Sequence, residues 1–266
     1  MQVWSLGSGS SGNAYLLRAR ETLLLVDCGL PLRVLEGRLA SLDVQPEALS
    51  AVLVTHEHHD HLGGVPALVR RYKLPLYATT GTLRKAASRL PANVAVHPVA
   101  DGVPFTAGDF TVRPFAVPHD AAEPVGYHLS SGRARTCILT DLGHVPETVR
   151  AHLRDAELLV LEFNHDVTQL VQGPYHAALK RRIASEVGHL SNADAAACLA
   201  DVLTPEHRAV WLAHLSEVNN SHRRAGEAAG KAARDAGRPD VPIQIAARGR
   251  LSLHWDLDAP RQLRLF

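Results

Sequence analysis

The stretch Thr55-His56-Glu57-His58-His59-Asp60-His61-Leu62-Gly63-Gly64 follows directly on the apolar run Ala51-Val52-Leu53-Val54. A short apolar run of this kind reads as a buried strand. It ends in the pattern His-x-His-x-Asp-His, three imidazoles and a carboxylate between positions 56 and 61. Imidazole and carboxylate donors together suit Zn²⁺, Mn²⁺ or Fe²⁺. The bland alternative is a solvated polar loop, but such a loop normally mixes charge signs, and no lysine or arginine interrupts this one. The run therefore predicts a strand that delivers metal ligands to one edge of a sheet.

The bulk properties are those of an ordinary soluble globular protein and count against one that coats DNA. A chain of 266 residues buries roughly 70–75% of its unfolded surface and needs no disulfide staples. The formal net charge of +1 exerts no global pull toward nucleic acid or membrane, although it leaves room for a local grip on a strand. The three cysteines, Cys28, Cys137 and Cys198, are far apart and read as reduced core thiols of a cytoplasmic protein. The N-terminus lacks a basic segment followed by an apolar one, and no apolar stretch reaches the length of a membrane span.

Outward from the histidine run, the first half is rich in strands: residues 2–6, 15–18, 22–27, 51–55, 76–79, 94–98 and 110–117 are short apolar or alternating runs bounded by turn residues. Residues 125–130 and 135–140 form a hairpin around Ser131-Gly132-Arg133, and residues 158–163 a strongly apolar strand. Helical spacing falls at 33–42, 65–72, 146–153, 175–185, 193–203 and 221–236, with further strands at 209–212, 243–246 and 251–255. Strands mixed with helices for both faces predict a four-layered α/β/β/α sandwich, one domain over 1–266 with no inserted second domain.

Three more segments share the architecture of the histidine run. His119 lies in Val117-Pro118-His119-Asp120 after a strand, Asp141 ends Thr136-Cys137-Ile138-Leu139-Thr140-Asp141, and His214 ends Ala209-Val210-Trp211-Leu212-Ala213-His214. With the leading motif, this order resembles the metallo-β-lactamase-fold hydrolases. The resemblance implies two divalent metal ions, Zn or Mn: His56, His58 and His119 hold the first, Asp60, His61 and His214 the second, and Asp141 bridges them. It also implies a metal-bridging hydroxide as nucleophile, with Asp27 orienting a ligand histidine from behind.

Further motifs narrow the resemblance. The loop Gly7-Ser8-Gly9-Ser10-Ser11-Gly12-Asn13 offers backbone amides to an anion. Leu161-Glu162-Phe163-Asn164-His165-Asp166 places polar groups after a strand, and Gly188-His189-Leu190-Ser191-Asn192 places a histidine and a serine at a helix start. Together with Glu123-Pro124-Val125-Gly126-Tyr127 and the segment from Tyr175 to Ile183, these are similar to the bacterial YycJ/WalJ (VicX) family over most of the chain. That family implies a 5′→3′ exonuclease on single-stranded DNA, linked to mismatch repair. Asp60, Asp141 and His189 become the catalytic candidates, with His189 also a phosphate clasp. Ser8, Ser10, Asn164, His165 and Ser191 become phosphate or substrate contacts. Local cations, from Lys180, Arg181 and Arg182 or from Arg223 and Arg224, would steer the strand. An RNase remains an alternative, as does a small-molecule hydrolase of thioesters, lactones or cyclic phosphodiesters, since the metal site alone permits each. A non-catalytic scaffold is disfavoured, because structural metal sites are usually closed and mononuclear.

Overall fold

The computed structural model describes residues 1–257 and Ala259. The first sheet is built from β1 (Gln2–Gly7), β2 (Ala14–Ala19), β3 (Thr22–Val26), β4 (Ala51–Leu53), β5 (Leu76–Thr79) and β6 (Val96–Val99). The second follows with β7 (Phe105–Ala107), β8 (Phe110–Ala116), β9 (Val125–Ser131), β10 (Ala134–Leu139), β11 (Leu158–Glu162), β12 (Ala209–Ala213) and β13 (Ile243–Ile245). The chain then returns, and β14 (Leu253–Asp256) closes the first sheet beside β1. Spatial orders are β14-β1-β2-β3-β4-β5-β6 and β13-β12-β11-β10-β9-β8-β7.

Strands β3 to β6 are parallel, as are β10 to β13. Parallel neighbours require crossovers, and helices supply them. On the first sheet these are α1 (Leu32–Ala40), the single turn α2 (His59–Leu62), α3 (Val65–Tyr72) and α4 (Thr80–Ala86). On the second they are α5 (Glu147–Arg154), α6 (Val167–Gln172), α7 (Ala177–Ile183), α8 (Asn192–Val202) and α9 (His222–Asp235).

Three apolar layers hold the sandwich together. Tyr15, Leu17, Phe110, Tyr127 and Trp211 pack between the two sheets. Leu25, Val52, Leu35 and Leu68 join the first sheet to α1 and α3. Leu159, Leu212, Leu199 and Ala229 join the second sheet to α8 and α9. Central strands are covered on both faces and read as unbroken apolar runs, Leu23-Leu24-Leu25-Val26 in β3 and Ala209-Val210-Trp211-Leu212-Ala213 in β12, as parallel strands do. Strand β8 instead alternates, with Thr111 and Arg113 exposed, as antiparallel strands with one solvated face do. α9 presents Ala225, Ala229, Ala232 and Ala233 inward; small side chains let it lie close to α8. The four-layered α/β/β/α expectation thus holds, with no inserted domain among the described residues.

Differences from the sequence expectation are local. Strand β7 is only three residues long, below the length at which alternation can be read. Helix α4 opens Thr80-Gly81-Thr82 and α6 carries Val167, Thr168 and Val171; residues of poor helix propensity mask both. What forms them is capping: Thr79 and Asp166 accept the amides of Thr82 and Gln169. The cysteines are free and buried, and no described helix is long and apolar enough to cross a membrane.

The topology brings the C-terminal ends of β3, β4, β8, β10, β11 and β12 to one edge, where the backbone packs without slack. A Cβ added to Gly29 would lie 1.8 Å from the carbonyl oxygen of Asp60. Replacing Gly29 by alanine must therefore displace the histidine loop, and Gly29→Ala is expected to destabilise by about 1–3 kcal/mol and to reduce bound metal. Gly37, exposed in α1, has nothing within 4 Å of such a Cβ, so Gly37→Ala should stabilise by up to about 1 kcal/mol. Thermal denaturation of the two variants, with metal content, checks both signs.

Candidate metal centre

His56, His58 and His119 bring one nitrogen each to a common point. His58 Nδ1 lies 3.2 Å from His56 Nε2 and 3.2 Å from His119 Nε2. The three rings stand nearly perpendicular to one another, with interplanar angles of 82°, 78° and 77°. Nitrogens bound tetrahedrally to zinc at ~2.0–2.1 Å lie about 3.3 Å apart, so the trio has the dimensions of a ligand set.

A second group comprises Asp60, His61, Asp141 and His214. His214 Nε2 is 3.2 Å from Asp60 Oδ2, and His61 Nε2 is 2.9 Å from Asp141 Oδ2. Asp141 Oδ2 is buried and nevertheless has no hydrogen-bond partner among the described residues. It lies within the same group of donor atoms as His61, His214 and Asp60, close enough together to hold a cation. A third overlapping group, Asp141, Glu162, His189 and His214, lies beside it. The donor set and the orphaned carboxylate oxygen both fit divalent metal.

Behind the ligands, most of the imidazoles are held by their other nitrogen. His61 Nδ1 lies 2.8 Å from Asp27 Oδ2, and Asp27 is fixed in turn by the amide and hydroxyl of Thr55. His56 Nδ1 meets the Thr55 hydroxyl at 3.0 Å, His119 Nδ1 the Gly188 carbonyl at 3.0 Å, and His214 Nδ1 the Glu162 carboxylate at 2.8 Å. Such supports fix the tautomer and aim the ligand. Glu162 also holds His189 Nδ1 at 2.9 Å and accepts the amides of Leu142 and Leu190. Sequence reading left Glu162 and Thr55 unassigned. The available signal for Glu162 was a carboxylate closing the otherwise apolar strand Leu158–Glu162, every residue of which is buried.

Charge divides the centre in two. Burial, reinforced by the His61 imidazole, holds His56 well below the usual histidine pKa. Burial lowers His119 as well. Both are neutral and have a lone pair to give. Burial would also lower His61 and His214, but Asp141 and the other carboxylates overcome it, holding His61 well above its usual value and raising His214 to about 10. Burial would raise Asp141, yet the His214 and His61 charges hold it well below the normal range. Burial likewise opposes ionisation of Glu162, and the charge and hydrogen bond of His189 bring it down to about 2. This half of the centre draws positive charge, as protons or as metal.

The predicted substrate contacts separate into two sets. His189 and Ser10 line a cavity of about 180 Å³ at the mouth of the centre, with Asp120, Tyr175 and Arg182. Ser8, Asn164 and Ser191 sit behind it. Ser8 is fully buried, and its hydroxyl takes the His214 amide at 2.8 Å. Asn164 donates to the His214 carbonyl, and Ser191 caps α8 through the Asp194 amide. These three side chains brace the loops behind the cavity. His165 is buried with Nδ1 unpartnered among the described residues. Arg223 and Arg224 are paired with Glu227 and Asp166; of the three cations on α7, Arg182 lines the cavity, paired with Asp120.

The Beta-lactamase superfamily domain matches residues 22–214, a span that begins at β3 and ends on the last candidate ligand. An exodeoxyribonuclease, YycJ, of Bacillus anthracis is 40% identical over 220 residues, 81% of this chain and 82% of its own. This chain belongs to the YycJ/WalJ family of the metallo-β-lactamase superfamily. WalJ exodeoxyribonuclease of Streptococcus pneumoniae serotype 2 is 37% identical with 81% of each chain covered. The crystal structure of YhfI from Bacillus subtilis, a metallo-β-lactamase fold protein, superposes with a TM-score of 0.72 at 20% identity, covering 96% of this chain and 99% of that one. Membership makes this chain an enzyme, a metal-dependent hydrolase of a nuclease family.

Glu162→Gln removes the charge that His189 and His214 share. Metal affinity should fall about 10–100-fold, read as earlier loss of metal in a chelator titration, while Ser130→Ala, far from the centre, should titrate as wild type.

Proposed function

We propose that the protein is a 5′→3′ exodeoxyribonuclease on single-stranded DNA, working in DNA repair with two divalent cations, Zn²⁺ or Mn²⁺. His56, His58 and His119 would hold one cation and Asp60, His61 and His214 the other, with Asp141 between them. Cations held there supply an activated water and neutralise charge developing on the phosphate. The relatives named exodeoxyribonucleases support the substrate class.

The observation that carries the reading is the pairing of His189 with buried Glu162 at the cavity mouth. Glu162 takes Nδ1 of His189, which leaves Nε2 without a partner among the described residues on a ring that lines the cavity. The carboxylate pushes the imidazole above its usual pKa against the effect of burial. A protonated imidazole so placed gives its proton to a departing 3′-oxygen, and its charge grips the phosphate. Phosphodiester cleavage expels a poor alkoxide and needs that proton; a thioester leaving group does not. Asp60 and Asp141 act by binding and poising the cations, and Ser10 meets the phosphate from the glycine-rich loop.

End-labelled 5′-phosphate and 5′-hydroxyl single-stranded DNA, with matching RNA, should be offered with Zn²⁺ and with Mn²⁺. Release of mononucleotides from the 5′ end of DNA is expected. Preference for RNA, or turnover of thioesters with no polymer cleaved, would refute the reading. His189→Ala should keep its metal and lose about 10²-fold or more in rate; a fall in metal content instead would make His189 a ligand.

A further inference from the structure

The cavity beside His189 has two unlike walls. Ser10 and His189 form a polar wall that belongs to the metal centre. Also lining it are Tyr175, just before α7, and Leu179 and Ile183, four apart on α7 and so neighbours on one helix face, which gives the cavity a ring and two aliphatic chains. Helix α7 buries none of its residues. An apolar row on a helix with no core beneath it is not accounted for by folding, and all three side chains are only half-buried.

The wall is held in register with the metal centre. Arg182 Nε donates to Asp120 Oδ2 at 2.5 Å, and the Asp120 amide donates to the Val187 carbonyl at 3.0 Å. Lys180 Nζ ties α7 back to the Val171 carbonyl at 2.6 Å. Asp120 follows His119 directly, so the row of apolar side chains is braced against a candidate ligand loop. The cavity, about 180 Å³, is smaller than the ~300–1,000 Å³ of sites that enclose drug-sized molecules. A space of this size suits a single base better than a larger ligand.

We propose that this cavity seats the base of the terminal nucleotide, stacked on Tyr175 and flanked by Leu179 and Ile183, and that this seat sets the one-nucleotide step of cleavage. The inference rests on the nuclease reading above. Stacking on tyrosine tolerates any base, as an enzyme that consumes arbitrary sequence requires. The scissile phosphate then lies at the polar wall, within reach of Ser10, His189 and the remaining N–H groups of Arg182.

The test uses single-stranded DNA carrying either a normal or an abasic 5′-terminal nucleotide, with wild type, Tyr175→Ala and Tyr175→Phe, all metal-loaded. Wild type should show a KM about tenfold higher on the abasic end. Tyr175→Ala should raise KM about tenfold on the normal end at nearly unchanged kcat and metal content, and add little further loss on the abasic end. Tyr175→Phe should restore the wild-type pattern. The seat is disproved if wild type treats both ends alike, if the two losses multiply, or if Tyr175→Ala lowers kcat alone. Wild type that cleaves no DNA would remove the nuclease reading and the seat with it; wild type that cleaves both ends equally removes only the seat.

Discussion

Four carboxylates, Asp27, Asp60, Asp141 and Glu162, converge at one edge of the sandwich, and none forms an ion pair with lysine or arginine among the described residues. Three of them are almost fully buried. Buried negative charge is tolerated only when it is paired and hydrogen-bonded. Here the partners are imidazoles, which accept a proton or give a lone pair according to what else is present. That constraint explains why each carboxylate has a histidine within reach, and why His61 and His214 are forced toward their charged forms while His56 and His119 remain neutral. The fold's task is to hold like charges together until cations relieve them.

The backbone bears part of that cost. Asp27, Asp141 and His214 have φ of 59°, 62° and 54°, a left-handed conformation uncommon for residues other than glycine. Asp27 and His214 directly follow a strand, and Asp141 follows β10 with Thr140 between. The turn carries the side chain from the line of the strand into the centre, where Thr55 and His61 hold Asp27 and the Glu162 and Asp60 carboxylates hold His214. Such backbone strain persists only where the surroundings over-determine it. For His214 the surroundings include the Ser8 hydroxyl on its amide and Asn164 on its carbonyl.

Much of this was legible in the chain. Donor chemistry and strand-end placement were enough to mark His56, His58, Asp60 and His61, and the order of the downstream strands marked His119, Asp141 and His214. Apolar runs located the central strands because both faces of the parallel segments are covered. What escaped reading depends on distance along the chain. Glu162 acts on His189 and His214, 27 and 52 positions later, and inside its strand it carries no local pattern. Ser8 looked like part of an anion loop, yet its hydroxyl partner lies 206 positions away. Helices α4 and α6 are made by a capping side chain and not by periodicity, so composition hides them.

The pairing of β1 with β14, and of the Ser8 loop with His214, has a consequence for synthesis. The centre needs groups contributed from the opening strand through to the twelfth, and the first sheet is not closed until β14 arrives. A nascent chain therefore cannot bring the second group of donors together until His214 has been made. A product terminated just before that point holds the first three histidines but lacks a member of the second group, so the two halves of the centre are separated in the order of synthesis.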